Sequence, residues 1–177
     1  LGRISHEKGV DLLVKSILNR PNIALKITGR IDSEYSQSVV QMVQDAGVSD
    51  RVEFVGFVEG AEKDSLIDGA MCVVCPSTWY ENMPNTILEA FAHGKPVVVF
   101  DVGCMSEIVE NGVTGAVVPL FDEFKLGEAV ERFVLDSSYA CRIGSNGRHV
   151  AKELYSESKH LDSLIKVLNP DESQGVS

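Results

Sequence analysis

At 177 residues the chain is long enough for one domain with a single buried core. Hydrophobic residues make up 44% and charged residues 24%, the composition of an ordinary globular protein. Sixteen basic against 26 acidic side chains give a net charge of −10 with no basic cluster, which excludes nucleic acid and anionic membrane surfaces as partners of this segment.

Apolar runs fall short of the ~20 residues a membrane span needs. Four cysteines stand at 72, 75, 104 and 141. Cys72 and Cys75 have a C-x2-C spacing, but they lie in the apolar run Met71-Cys72-Val73-Val74-Cys75 and no second ligand pair follows. They read as buried thiols rather than metal ligands, so no metal is expected, and reduced thiols suit the cytoplasm.

In chain order, Leu1-Gly2-Arg3-Ile4 reads as the end of a strand, and Val10–Leu18 has apolar residues at helical spacing. A strand is expected at Ala24–Thr28 and a helix at Ser36–Ala46, stopped by Gly47. Strand Val52–Val55, short helix Lys63–Gly69, strand Cys72–Cys75 and helix Thr86–His93 follow. Then come strand Pro96–Phe100, short helix Met105–Glu110 and strand Ala116–Val118. Helices are expected at Phe124–Leu135, Tyr139–Leu154 and Ser156–Leu168, with a frayed polar tail over 169–177. The alternation predicts an α/β fold: one Rossmann-like, doubly wound parallel sheet of about six strands over residues 1–168. Such sheets bind ligands beyond the carboxyl ends of their strands, so the turns after each strand are where chemistry is sought.

The first turn, Gly2-Arg3-Ile4-Ser5-His6-Glu7-Lys8-Gly9, sets a forked cation and a point charge before a helix start. That set can hold a diphosphate, although Arg3 and Lys8 also suit a solvated surface. Gly56 permits close backbone approach of a ligand, and Phe57 suits either a base or an ordinary packing contact. The most informative turn is Pro76-Ser77-Thr78-Trp79-Tyr80-Glu81-Asn82-Met83-Pro84-Asn85-Thr86-Ile87-Leu88-Glu89-Ala90. Asn85 is expected as the N-cap of the helix that follows. Glu89 sits in the apolar stretch Thr86–Ala92, where a carboxylate needs donors such as a pair of sugar hydroxyls, unless it lies on the solvated face. Asp101 suits a turn cap, or a residue that orders a neighbouring loop.

Taken in order, these segments resemble the C-terminal domain of GT-B fold glycosyltransferases, in the large retaining family numbered 4. The resemblance rests on the Gly-Arg…Glu-Lys-Gly opening, Arg51-Val52-Glu53-Phe54-Val55-Gly56-Phe57, and Pro76-Ser77…Glu81…Pro84…Glu89-Ala90-Phe91-Ala92-His93-Gly94-Lys95-Pro96-Val97. It continues through Asp101-Val102-Gly103…Glu107-Ile108-Val109 and Asn111-Gly112-Val113-Thr114-Gly115, and spans residues 1 to about 168. The resemblance implies a nucleotide-sugar donor carried on UDP, GDP or ADP, with no catalytic metal and no cofactor. Arg3 and Lys8, beside Gly2, would hold the diphosphate and steady it as leaving group. Glu81 would be the first glutamate of the family's Glu-x7-Glu motif, near the transferred sugar, and Glu89 the second, on the ribose. The loop Asn82, Met83, Pro84 and Asn85 would meet the sugar and phosphate, and Gly56 and Phe57 the base.

Two departures stand out. Gly29-Arg30-Ile31-Asp32 replaces the family's frequent Gly-x-Gly-Pro. Asn82-Met83-Pro84 replaces Gly-Phe-Gly, and Pro84 brings no N–H donor, although Glu-Asn-x-Pro is a variant the family also shows. The resemblance further implies that the acceptor binds to an N-terminal domain absent from this sequence. Any membrane contact would run through that domain, with the full-length protein cytoplasmic or peripheral to the membrane. A dehydrogenase would need Gly-x-Gly-x-x-Gly after the first strand, and none is present. A non-catalytic module has no use for Arg3, Lys8, Glu81 and Glu89 together, and a GT-B-related epimerase would not share the Glu81–Glu89 loop.

Overall fold

The computed structural model describes residues 1–155, so the helix expected at Ser156–Leu168 and the tail lie outside the described residues. Within them the α/β alternation is borne out. The strands are β1 (Leu25–Thr28), β2 (Val52–Gly56), β3 (Val73–Cys75), β4 (Val97–Phe100) and β5 (Gly115–Val118). The helices are α1 (Val10–Ile17), α2 (Glu34–Asp45), α3 (Gly60–Gly69), α4 (Asn85–Ala92), α5 (Met105–Ile108), α6 (Glu123–Leu135) and α7 (Ser137–Leu154).

All strand pairs are parallel, arranged as a two-stranded sheet β1-β2 and a three-stranded sheet β3-β4-β5. In the first, Leu25 pairs with Val52; in the second, Val97 pairs with Val73 on one side and Gly115 on the other. The stub at Leu1–Ile4 forms no strand, so five strands rather than six stand among the described residues. Its backbone makes no ladder: the Gly2 amide instead donates to Thr28 Oγ1 at 3.3 Å. A largely apolar cavity of about 560 Å³ lies between the β1 and β3 edges, lined by Leu25, Ile27, Val73 and Cys75.

The core follows from the pattern of apolar residues. Every residue of β4 is fully buried, as expected of a strand covered on both faces. Val10, Leu13, Val14 and Ile17 bury one stripe of α1, which packs on α6. On α4, Ile87, Ala90 and Phe91 face inward, and α4 packs on α7. That second contact depends on Gly144 of α7, where a β-carbon would collide with the Gly94 carbonyl. Three helix starts carry side-chain caps: Ser33 and Ser36 form a capping box on α2, while Asp122 and Asp136 cap α6 and α7.

Candidate functional site

The turns after β1, β2 and β3 gather around the start of α1 and the start of α4. Gly9 makes this possible. It adopts φ 60° between the 3-10 turn His6–Lys8 and α1, and a β-carbon on it would run into the Pro76 carbonyl. The Glu7 carbonyl accepts from the Thr78 amide at 2.8 Å, and Ser77 Oγ lies 3.0 Å from both that carbonyl and Glu81 Oε1. These contacts seat the first turn on the end of β3. Lys8 is thereby placed against Glu81, with its Nζ donating to Glu81 Oε1.

The Glu81 loop is held from its other side by the turn after β4. A β-carbon on Gly103 would stand 3.3 Å from the Tyr80 backbone, so Gly103 fits closely under the loop. Cys104 Sγ donates to the Glu81 carbonyl at 2.8 Å. Trp79, Tyr80 and Met83 are exposed around the largely covered Glu81. Asn82 and Asn85 are exposed as well.

Asn85 is not the N-cap of α4. Pro84 occupies that position with φ −74° and ψ 105°, and Asn85 is the first helical residue with no side-chain cap. Proline's fixed φ suits the helix entrance, and its carbonyl accepts from the Ile87 amide at 2.9 Å. The first-turn amides of Asn85 and Thr86 have no carbonyl within the helix to bond, and both residues line a second cavity of about 170 Å³.

Glu89 lines that same cavity, with Gly2, Gly29, Phe57 and Lys63. Its side chain is partly exposed and paired: Lys63 Nζ of α3 donates to Glu89 Oε1 at 2.7 Å. That bond raises the Lys63 pKa above the ordinary lysine value, against an opposing desolvation. Gly56 has φ 89°, and Phe57, 61% exposed, lies under the Arg30 guanidinium at 5.5 Å. Arg3 is exposed and lines the larger cavity together with Lys8 and Glu81, so the two expected cations do face one space.

Of the expected residues, Gly2, Arg3, Lys8, Glu81 and Pro84 line one cavity and Gly2, Phe57, Asn85 and Glu89 the other, whereas Gly56, Asn82 and Met83 line neither of them. Ser77, Gly103, Cys104 and Lys63 are additions that sequence reasoning missed. The Asp101 amide bonds the Val118 carbonyl at 2.8 Å, tying the end of β4 to β5. Desolvation pushes the Cys72 thiol up to about 12 and the Cys75 thiol to about 11, but both are half-buried and line the larger cavity, so they are not the fully buried thiols expected. No group of three or more His, Cys, Asp or Glu suited to a metal occurs among the described residues. The arrangement can cradle an anion between two cations and a helix start, and can chelate a diol on Glu89.

Known proteins show the same arrangement of chain. Over 169 residues the sequence is 31% identical to alpha-D-kanosaminyltransferase of Streptomyces kanamyceticus, covering 94% of this chain and 44% of that enzyme. The structure of Anabaena HepE in complex with UDP and glucose superposes with a TM-score of 0.87 at 25% identity, over 96% of this chain and 47% of that one. A C-terminal domain of a glycosyl transferase group 1 protein from Francisella tularensis superposes with a TM-score of 0.79 at 23% identity, covering 89% of this chain and 84% of that domain, and shows the fold. The chain thus spans less than half the length of the first two proteins, and matches the C-terminal half of a GT-B enzyme. The model of the glycosyl transferases group 1 family matches residues 1–150, and with these likenesses it makes the chain a member of that family of glycosyltransferases.

Proposed function

We propose that this chain is the donor-binding half of a retaining glycosyltransferase that takes a sugar from a nucleoside diphosphate. The observation that carries the proposal is the placement of Lys8 and Glu81 at the mouth of α4, with Glu89 one turn into the same helix. In this reading Arg3, Lys8 and the α4 amides face the diphosphate, Glu89 takes the ribose hydroxyls, and Phe57 with Gly56 borders the base. UDP is the favoured nucleotide, supported by the UDP held in the similar Anabaena structure.

Transfer passes through an oxocarbenium-like state, as glycoside hydrolysis does. The bond from the anomeric carbon to the diphosphate breaks with its electron pair left on phosphate. In this reading two cations and a helix N-terminus stabilise the growing charge, and pre-organised donors of that kind contribute several kcal/mol. Glu81 is read as an electrostatic partner of the transferred sugar rather than a covalent nucleophile, its charge balanced by the Lys8 ammonium at Oε1. No step requires a metal.

The acceptor is assigned to a domain outside this sequence, so the isolated chain binds donor and transfers little or none. Isothermal titration of the chain with UDP, UMP and uridine tests the reading. Affinity should rise stepwise with each phosphate; equal affinity for uridine and UDP would remove the diphosphate site. Measured turnover by the isolated chain on a defined acceptor would refute the division of labour between domains.

A further inference from the structure

Glu89 has a partner on a different helix that the motif does not supply. Lys63 lies in the first turn of α3, 26 positions earlier, and donates to Glu89 Oε1 at 2.7 Å. The two side chains are only 28% and 35% exposed, and both line the 170 Å³ cavity beside Thr28, Phe57 and Asn85. The pair thus borders the cavity assigned above to the nucleoside, with both side chains still partly open to solvent.

Helix docking does not need this contact. One turn further along, His93 Nδ1 lies 2.8 Å from Asp68 Oδ1, and Lys95 Nζ donates to the Asp68 carbonyl at 2.7 Å. Those bonds already tie the end of α3 to the end of α4. The Lys63–Glu89 bond therefore has room for another role.

An ionised carboxylate offers about four acceptor sites. Lys63 uses one, on Oε1, which leaves Oε2 and the remaining lobe of Oε1 for two hydroxyl donors. A glutamate turns freely about its last torsion, so an unclasped carboxylate must be ordered when a diol binds. A clasped one is ordered beforehand. We propose that Lys63 is the positioning residue of the nucleoside subsite, fixing Glu89 so that both ribose hydroxyls are taken together and thereby setting the preference for ribose over deoxyribose. The proposal rests on the reading of Glu89 as the ribose-binding group.

The test is isothermal titration with whichever of UDP, GDP and ADP binds tightest, and with its 2′-deoxy form, to the wild type, Lys63→Met, Lys63→Arg and Glu89→Gln. The wild type should prefer the ribonucleotide by about tenfold, the scale of a hydrogen bond to a charged group. Lys63→Met should cut that preference to about twofold while leaving the deoxy form within about twofold of wild type, and Lys63→Arg should restore most of it. Equal weakening of both ligands by Lys63→Met would make Lys63 a general attractor of phosphate and overturn the proposal. An unchanged preference would reduce Lys63 to a helix clasp and overturn it equally. Glu89→Gln separates the two layers: if ribose preference survives it, the ribose role of Glu89 fails first, and the positioning role falls with it.

Discussion

Lys8 and Glu81 are 73 positions apart and form an ion pair because the Glu7 carbonyl binds the backbone and side chain of the β3–α4 loop. Neither residue's place is set by its own side chain alone. A backbone seam between the first turn and the end of β3 delivers both, and Gly9 is the point at which that seam closes. The chemistry of the site is thus coupled to a local fold feature, and the two can be perturbed separately.

Gly9→Ala should be among the more damaging small substitutions in the chain. It places a side chain at φ 60° and drives a β-carbon into the Pro76 carbonyl. Gly47 has a similar φ of 67° with nothing within 4 Å of its β-carbon position, so Gly47→Ala isolates the conformational cost. Urea unfolding should show a loss of about 1 kcal/mol for Gly47→Ala and about 3 kcal/mol or more for Gly9→Ala. Equal losses would mean that the seam yields at no cost.

Lys8→Ala removes one of the two cations at the phosphate end and leaves Glu81, 21% exposed, without its charge partner. Affinity for UDP should drop by roughly 10–100-fold, as for loss of a charged hydrogen bond, while uridine affinity stays unchanged. Titration calorimetry at two salt concentrations checks it. A parallel loss for uridine would point to collapse of the loop rather than loss of a phosphate contact.

The start of α7 carries a pH-dependent contribution. Ser138 Oγ and the Tyr139 amide donate to Asp136, and these bonds hold its carboxyl below the ordinary aspartate value of 3.8. A depressed carboxylate stabilises the fold fully above its unfolded value and loses that effect as pH falls through the folded one. Asp136→Asn should therefore lower the melting temperature at pH 7, and the gap to wild type should close on acidification below pH 3.8. A gap independent of pH would show that the cap works without its charge.

Much of this architecture is legible in the sequence because it rests on periodicity. Val10, Leu13, Val14 and Ile17 announce α1, and the apolar run Val97–Phe100 announces a strand buried on both faces. The start of α3 is not legible: Ile67 is its one buried side chain, so no stripe marks where Gly60 opens the helix. The stub at residues 1–4 reads as a strand from its composition, yet ladder bonds depend on neighbours that local composition does not describe. At α4, Asn85 has the better capping chemistry, but the fixed φ of Pro84 decides the entrance. The motif residues of the site are legible only through the resemblance to the family. The residues that hold them are not legible, because Ser77, Gly103, Cys104 and Lys63 act through contacts between separate turns and helices.

The most direct test is a thermal-shift titration of the chain with UDP, GDP, ADP and their sugar conjugates, repeated with Glu89→Ala and Lys8→Ala. A nucleotide at about 100 times its dissociation constant should stabilise the fold by ~2.7 kcal/mol, with the shift blunted in both variants. A wild type that no nucleotide shifts, or variants that respond as the wild type does, would contradict a donor site built on Lys8 and Glu89.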